Sequence, residues 1–434
     1  MFDGLRLTIG TNHLWLWSTS NSNEDTIMGE GILPSRRLDT IAYRLRNWPL
    51  VHRIGRWFRK TLWRALVEGF WEFARRFFAK NPHYGPPATT FSIYQALRCG
   101  WPKVNGRIVL HDQGAPKVTG DSLLVKSGMA QHLEQPWPIF WSEHANARLV
   151  SESLAYLMPD KVLCVESAYN EKRWRSDPAS RFLRLPPPTW LAGNWTSIVS
   201  KWVPNRGFPV YGHWLHDALP RLALLSEFPP DTRIIVPPDL KPYHQESLEL
   251  LGVWERCRPS PEVHLEVERY FFSSPVSMID CYNPYAVEVT RKALLSKGDP
   301  HYSGPRKFFM QRTSKRRGVE NIEEIADFFR GKGWAVVKDV DLTFAQTIKL
   351  FSEAEAICSH QGSNMSNVLF CQPGCVVMHL VPDVNLDGWI DWIAEVCKLN
   401  YHFSIVHCGG PDATKITIDA RQIEELFASA GVSF

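Results

Sequence analysis

The chain of 434 residues has no run of about 18 uncharged apolar residues, so the sequence predicts no segment that spans a bilayer. Its N-terminus lacks the charged segment, apolar run and small-residue cleavage site of an export signal. Its nine cysteines are an odd number and show no repeated spacing. These absences predict a protein of a reducing compartment, cytoplasmic and either soluble or peripheral at the inner face of the membrane.

The sequence is rich in apolar residues and has one strongly basic segment. With 44% hydrophobic residues the chain can bury a large core, and its length exceeds that of most single-core proteins, so two domains are expected. The net charge of +4 is uneven, because residues 36–80 hold twelve Lys and Arg against three acidic residues. That segment carries +9, which leaves −5 for the rest of the chain.

Residues 53–80 predict a basic amphipathic helix. Its apolar side chains recur every three or four positions: Ile54, Phe58, Leu62, Leu66, Phe70, Phe73 and Phe77. Such a helix suits the headgroup region of an anionic membrane, with Trp57, Trp63 and Trp71 at the boundary. The same stripe is also suited to packing on the protein's own core or on a second copy in a homo-oligomer. No nucleic-acid module accompanies the charge, so a nucleic-acid partner is not expected.

The segment Tyr211–Leu225, YGHWLHDALPRLALL, contains a candidate catalytic pair. If Gly212–Leu219 is helical, His213 and Asp217 lie four residues apart on one face, and Pro220 kinks or ends the helix. A general base and its orienting partner require this arrangement. An isolated pair at this spacing is also typical of an ordinary surface hydrogen bond.

Beyond Arg306 strands and helices alternate regularly. The predicted strands are Lys307–Gln311, Trp334–Lys338, Ala356–Ser359 and Val376–Leu380, and the predicted helices are Ile322–Arg330, Thr343–Ser352 and Met365–Phe370. Asn321 with Glu324, and Thr343 with Gln346, have the spacing of capping boxes. This alternation predicts a parallel, doubly wound sheet, whose ligands bind at the carboxyl ends of the strands.

Two loops at that edge are suited to an anion. The first, Arg312–Gly318, is strongly basic, and the second, Gln361-Gly362-Ser363-Asn364, places a glycine and a helix start directly after a strand. The second loop therefore offers backbone N–H groups and the positive end of a helix dipole. A cluster of cations beside a helix N-terminus is expected for a diphosphate. Taken alone, the glycine loop is equally typical of a turn in any parallel sheet.

Three motifs together resemble glycosyltransferase family sixty-one over roughly residues 200–385. They are HWLHDALPRL at His213–Leu222, FFMQRTSKRRGVEN at Phe308–Asn321 and HQGSNMSNVLFCQPGCVVMHL at His360–Leu380. The resemblance implies an α/β, GT-B-like fold of two Rossmann-like domains with a parallel doubly wound C-terminal sheet, preceded by the basic amphipathic helix. The expected parts are a flexible N-terminus with that helix (1–85), an acceptor-side domain (86–300) and a nucleotide-sugar-binding domain (301–434).

The resemblance assigns roles to particular residues. It makes Asp217 and His213 the catalytic pair, Arg312 the diphosphate arginine, and Gly362 and Asn367 the ends of the glycine-rich loop. Together with the two anion-suited loops, it predicts a nucleotide-sugar site formed by Arg312, Lys315, Arg316, His360, Gln361, Gly362, Ser363, Asn364, Asn367 and His379. Gln361 stands where the family usually has His, and His379 stands where an acidic residue able to hold the ribose is usual. Asn364 replaces a glycine, a substitution we expect to be tolerated because Asn accepts a positive φ.

The function implied by the resemblance is inverting, metal-independent transfer of a sugar without a cofactor. The donor is a nucleotide-sugar, and the acceptor is a saccharide or a glycolipid of capsule or lipopolysaccharide assembly. One alternative is a non-catalytic saccharide-binding or membrane-docked protein with the same fold. Another is a ketal-forming transferase that uses phosphoenolpyruvate.

Two patterns are typical of metal sites. Asp339-Val340-Asp341 has the DxD form, and Cys371, Cys375 and His379 have zinc-binding side chains. The surrounding strand–helix alternation and the lack of a second CxxC pair favour structural roles for both, so no metal is expected.

Overall fold

The computed structural model describes residues 65–78, 86–87, 89–110, 122–127, 138–158, 161–168, 178–206, 210–278, 281–313, 318–407 and 415–432. The chain divides into two compact units, residues 1–68 and residues 69–434. The predicted basic helix falls partly outside the described ranges: residues 65–77 are helical, whereas 53–64 are not among the described residues. Within these ranges, no helix has both the length and the apolar character needed to cross a membrane.

The strands are β1 Thr89–Phe91, β2 Asn105–Leu110, β3 Ile139–Val150, β4 Ala155–Met158, β5 Val162–Cys164, β6 Thr189–Ser197, β7 Arg233–Val236, β8 Cys257–Pro259, β9 His264–Ser273, β10 Ser277–Met278, β11 Cys281–Tyr282, β12 Lys307–Gln311, β13 Gly318–Val319, β14 Ala335–Lys338, β15 Ala356–His360, β16 Val376–Pro382, β17 Asn400–Val406 and β18 Lys415–Ile416.

Besides residues 65–77, the α-helices of the described ranges are Ile93–Arg98, Leu123–Lys126, Tyr211–His213, Pro242–Leu250, Pro284–Leu295, Ile322–Gly331, Phe344–Ser352, Trp389–Cys397 and Ala420–Ser429. A π-helical turn spans Trp214–Ala218, and 3-10 helices span Pro178–Ser180, Leu219–Glu227, Trp254–Arg256, Ser363–Phe370 and Asp383–Asn385.

A five-stranded parallel sheet lies in the C-terminal part of the chain, in the order β14-β12-β15-β16-β17. The chain enters at β12, turns to β14 on one side, and then crosses to β15 on the other. The connection that leaves β12 therefore runs to one side of the sheet, and the connection that leaves β15 runs to the other side, so the two diverge between β12 and β15. In a doubly wound sheet this point opens a crevice at the carboxyl ends of the strands.

Alternate side chains of this sheet point into two separate cores, as expected for a sheet covered on both faces. Phe308 and Ile357 face the larger core, together with helices Phe344–Ser352 and Trp389–Cys397. Phe309 faces the smaller core. There its ring stacks on Phe329 of helix Ile322–Gly331, with centroids 4.5 Å apart. The predicted parallel sheet is thus present, with β17 as an additional strand.

A nine-stranded mixed sheet forms most of the rest, with β1-β5-β4-β3-β9-β6-β7-β8 in order and β2 also paired to β3. Strands β9, β6, β7 and β8 run parallel, whereas β3 is antiparallel to both β4 and β9. The Rossmann-like pattern expected for residues 86–300 therefore describes only part of this sheet. A domain boundary at residue 300 stays a prediction.

The two expected capping boxes have different outcomes. Thr343 and Gln346 form theirs, because the Thr343 side chain accepts a hydrogen bond from the Gln346 N–H and the Gln346 side chain accepts one from the Thr343 N–H. The prediction of a capping box at Asn321 was wrong. The Asn321 side chain instead pairs with the backbone of Ile418, at 2.8 and 3.1 Å, and so does not cap its own helix.

Arg291 closes the C-terminal end of the helix Ser363–Phe370. Its Nη1 donates hydrogen bonds to the carbonyls of Leu369 and Cys371, each at 2.5 Å. A cation at this end of a helix also opposes the negative end of the dipole. Arg291 therefore holds in place a helix whose opposite end faces the crevice.

Replacing Arg291 with Met should lower the free energy of unfolding by about 2 kcal/mol, since two carbonyls lose a charged donor. Chemical denaturation measures this change. A matched control is Arg306→Met, which removes only the exposed ion pair with Glu355 and should cost below about 1 kcal/mol. Equal losses in the two variants would contradict the role given to Arg291.

Candidate active site

Arg312 and the loop at Gly362 meet in the crevice between β12 and β15. Arg312 directly follows β12, and Gln361 and Gly362 directly follow β15. The Arg312 Nη1 donates a hydrogen bond of 3.2 Å to the carbonyl of Gln361. The sequence predicted both loops, and the structure brings them together.

A side chain at Gly362 would displace neighbouring side chains, although the backbone conformation there is ordinary. Its φ is 178°, which any residue adopts. A Cβ at this position would lie 2.8 Å from Oδ1 of Asn364 and 3.0 Å from Nη1 of Arg312. The expectation that Asn364 adopts a positive φ was wrong, because this residue lies inside the helix Ser363–Phe370 and is not among the residues with positive φ.

The segment that carries His213 packs on the first turns of that helix. The Tyr211 hydroxyl donates to Oδ1 of Asn367 at 2.5 Å, and Nδ2 of Asn367 donates to the carbonyl of Asn364. A Cβ on Gly212 would lie 3.0 Å from Oγ of Ser366. A side chain at Gly212 would therefore require Ser366 to shift, so the absence of one lets the two segments pack closely.

His216 also lies at the contact between the Tyr211 segment and the helix Ser363–Phe370. Burial lowers its pKa to about 3, although a hydrogen bond with the backbone of Ser366 opposes this shift. His216 is therefore a neutral imidazole at physiological pH, packed near Trp389. This position makes it a link between the two segments, next to the candidate catalytic pair and not part of it.

His213 and Asp217 form the hydrogen bond that their spacing predicts. Nδ1 of His213 lies 2.6 Å from Oδ2 of Asp217. The Asp217 side chain is 6% exposed and that of His213 is 23% exposed, so the carboxylate is nearly enclosed and the imidazole reaches solvent. The pair is therefore partly buried, unlike a typical hydrogen bond on a helix surface.

The backbone around this pair departs from the predicted helix. An α-helical turn at Tyr211–His213 passes into the π-helical turn Trp214–Ala218, and a 3-10 helix continues through Leu219–Glu227. Pro220 does not end the helical path, because it occupies the first turn of the 3-10 helix, where its missing N–H has no partner to lose. Single π-helical turns are frequent at functional sites.

Two residues beside the pair carried no sequence signal that we could recognise. The Trp202 ring stacks on the His213 ring, with centroids 4.9 Å apart and planes inclined by 13°. Arg221 interacts electrostatically with Asp217 and Tyr270, while burial lowers its pKa. Both residues reach the site through tertiary packing, which spacing along the chain does not reveal.

The two predicted nucleotide-sugar histidines lie beneath the crevice. Burial lowers the pKa of His360 to about 3, helped by the Arg312 cation, and burial lowers the pKa of His379 to about 3, helped by His360. Nδ1 of His379 pairs with the Tyr401 hydroxyl at 2.8 Å. Both ring nitrogens of His360 and Nε2 of His379 are buried without a hydrogen-bond partner among the described residues.

Other polar atoms near the crevice share this property. The side-chain oxygens of Gln361, Asn364 and Ser366 are buried and make no hydrogen bond to any part of the chain that the structure describes. Buried polar groups are normally paired, so such a concentration at one place indicates a site for a polar ligand. Of the remaining predicted residues, Ser363 begins the helix, and Lys315 and Arg316 lie outside the described residues.

The described residues of the two metal-binding patterns make other contacts in the structure. Oδ1 of Asp339 accepts hydrogen bonds from the backbone N–H and the hydroxyl of Thr313, at 3.2 and 2.8 Å. Asp339 thus fixes the start of the loop after Arg312. Cys371 and Cys375 belong to the larger core, as expected. No group of three or more metal-binding side chains occurs in the described ranges.

An open pocket of about 410 Å³ lies elsewhere, along the edge strand β17. Lys126, Tyr401 and Phe403 are among the residues that line it, and no predicted site residue does. Tyr401, one of the lining residues, is the hydrogen-bond partner of His379. We therefore assign the candidate site to the crevice.

Comparison with known proteins supports the family prediction. Residues 211–378 match the family model described as Glycosyltransferase 61. This range begins at Tyr211 and includes the His213–Asp217 pair, Arg312 and the Gly362 loop. No curated protein matches the chain. The match confirms the resemblance that the three sequence motifs show, and it supports membership of the glycosyltransferase 61 family for residues 211–378.

Proposed function

We propose that this glycosyltransferase moves a sugar, with inversion, from a nucleotide-sugar to a saccharide or a lipid-linked saccharide in surface polysaccharide biosynthesis. The observation that carries the proposal is electrostatic. The Arg312 guanidinium lies beside the N-terminus of the helix Ser363–Phe370. A cation at the positive end of a helix dipole is unfavourable by itself, and an anion between the two makes both contacts favourable.

The diphosphate of the donor is that anion in our proposal. Arg312 offers a planar set of donors, and the first N–H groups of the helix have no partner within the helix. Asn364 and Gln361 bring further polar atoms to the same place. The charge on the departing diphosphate is then balanced by Arg312 and the helix end, so the proposal requires no metal and no cofactor.

Asp217 is the general base in this scheme. The acceptor hydroxyl loses its proton as the diphosphate leaves, and a carboxylate also stabilises the positive charge that develops at the anomeric carbon. His213, at 2.6 Å, orients the carboxylate. We assign donor binding to the five-stranded sheet and acceptor binding to the nine-stranded sheet, which is a GT-B-like division of labour.

The helix at 65–77 supports docking to an anionic membrane. Phe73 and Phe77 are 61% and 69% exposed, whereas Arg75 is buried and donates to the carbonyl of Ser180. The exposed aromatic stripe therefore supports docking to a membrane over packing on the protein's own core. The basic residues that precede it would contact lipid phosphates at the inner face of the membrane.

Replacing Arg312 with Ala should weaken donor binding by at least about 30-fold, the equivalent of roughly 2 kcal/mol of charge-assisted hydrogen bonding. Calorimetric titration of a panel of nucleotide-sugars against the wild type and the variant measures the loss. Arg330→Ala, which removes an exposed arginine paired with Asp327, is the control and should bind normally. Unchanged donor affinity in Arg312→Ala would refute the diphosphate assignment.

Replacing Asp217 with Asn should reduce kcat by about 100-fold or more while donor affinity stays nearly constant, because the shape is kept and the basicity is removed. Release of nucleoside diphosphate in the presence of acceptor measures the rate. Wild-type turnover of a nucleotide-sugar would exclude the non-catalytic alternative, and turnover of phosphoenolpyruvate instead would favour the ketal-forming one. Near-normal turnover in Asp217→Asn with collapse in His213→Ala would transfer the base role to His213.

Replacing Phe70, Phe73 and Phe77 together with Ser should reduce binding to phosphatidylglycerol vesicles by at least about 100-fold, since three aromatic side chains that would insert into the membrane are lost. Vesicle sedimentation measures the partition. Because these side chains are exposed, the variant should fold normally, which is preferable to deleting residues 1–80 and with them the buried Arg75. Unchanged vesicle binding together with loss of a dimer by light scattering would assign the stripe to a homo-oligomer.

A further inference from the structure

Trp202 belongs to the loop that follows β6, and this loop is anchored to the nine-stranded sheet. Ser200 and Val203, which flank the tip of the loop, exchange two backbone hydrogen bonds at 2.9 and 3.1 Å. Just beyond this turn, the backbone N–H of Asn205 donates to the carbonyl of Glu152, which follows β3. The backbone around Trp202 is therefore held both by the turn itself and by the end of β3.

The Trp202 ring stacks on the imidazole of His213, which belongs to a separate segment of the chain. The ring centroids are 4.9 Å apart and the planes are inclined by 13°. This distance lies within the range of favourable contacts between aromatic rings. The ammonium of Lys201 lies 5.7 Å from the centroid of the indole, close enough for a cation–π contact. The stack therefore joins an anchored loop to the candidate catalytic pair.

The hydrogen bond to Asp217 restrains the imidazole of His213 only in part. Nδ1 of His213 lies 2.6 Å from Oδ2 of Asp217, and because a carboxylate only accepts hydrogen bonds, Nδ1 is the donor. The torsion that turns an imidazole about its bond to Cβ has broad energy wells, so one hydrogen bond does not fix the plane of the ring. A nearly parallel indole restrains that plane, because turning the imidazole would break the stack.

We propose that Trp202 is a positioning residue that acts on Asp217 through His213, an inference that rests on the proposed function. The indole keeps the imidazole in the plane that aims the Nδ1–H at the carboxylate. That hydrogen bond then holds the carboxylate in the orientation in which it removes the acceptor proton, so the base is preorganised before the substrates bind. This role requires no contact between Trp202 and either substrate.

Steady-state kinetics test this role. Trp202→Ala should lower kcat by about 10-fold and leave KM for donor and acceptor nearly unchanged, since an orienting contact is lost and no substrate contact is. Trp202→Phe keeps an aromatic face and should restore most of kcat. In a His213→Ala background, Trp202→Ala should cause no further loss, because the imidazole through which it acts is already absent. The matched control is Trp190→Ala, a 51% exposed indole of β6, which should behave as wild type.

Nitrogen-15 NMR of the histidine side chains gives a second readout, which does not depend on turnover. The His213 signals, assigned by their loss in His213→Ala, should show one tautomer, with the proton on Nδ1, in the wild-type protein. In Trp202→Ala the two nitrogen shifts should move toward the average of the two tautomers, because the ring is free to turn. Trp202→Phe should resemble the wild type.

The outcomes separate this inference from the proposed function. Unchanged His213 shifts in Trp202→Ala, or the same loss of kcat with and without His213, would overturn the positioning role and leave the proposed function intact. Equal loss of thermal stability and turnover in Trp202→Ala and Trp202→Phe would show a purely structural role and would likewise overturn it. If the wild-type protein turns over no nucleotide-sugar while the His213 shifts change as expected, the proposed function fails and the action of Trp202 on His213 stands.

Discussion

The contact between the Tyr211 segment and the helix Ser363–Phe370 is the constraint on which the rest of the site depends. One hydrogen bond, from Tyr211 to Asn367, and one close approach, of Gly212 to Ser366, set the distance between the two segments. His213 follows Gly212 directly, and the helix N-terminus precedes Ser366 by one turn. The candidate base and the candidate anion site are therefore positioned by the same few atoms, although they are about 150 residues apart in the chain.

The charges at the two ends of the helix Ser363–Phe370 explain why this contact suits an anion site. Arg291 at the C-terminal end adds to the favourable interaction with the dipole, whereas Arg312 at the N-terminal end opposes it. The structure thus stabilises the helix at one end and leaves an unbalanced positive region at the other. Buried imidazoles beneath this region are neutral, because a further positive charge at His360 would be both desolvated and close to Arg312.

The sequence predicted those features that depend on local pattern. Strand β12 matches the predicted bounds, because it is a short apolar run bounded by polar residues. The spacing of His213 and Asp217 predicted their contact, and the order of strands and helices predicted the edge where Arg312 and Gly362 meet. The Thr343 capping box is equally local and was also predicted.

The features that the sequence did not predict depend on partners distant in the chain. The antiparallel pairing of β3 with β9 joins residues more than 100 positions apart, and the side chain of Asn321 bonds to the backbone of Ile418 and does not cap its helix. The stack of Trp202 on His213 likewise arises only when the loop after β6 is folded against the segment at Tyr211. Periodicity and spacing report on one element at a time, so they identify strands and helix faces but not which elements meet.

The two members of the candidate catalytic pair differ in exposure, and this difference indicates where the proton of the proposed reaction would go. Asp217 is nearly enclosed, which strengthens its electrostatic interaction with the developing positive charge, and an enclosed carboxylate has little access to water. His213 touches both the carboxylate and the solvent-exposed Trp202. A proton taken by Asp217 therefore has a path through the imidazole to solvent after each turnover. Under the proposed mechanism, the burial of Asp217 favours the chemical step, and the solvent exposure of His213 allows Asp217 to be deprotonated again before the next turnover.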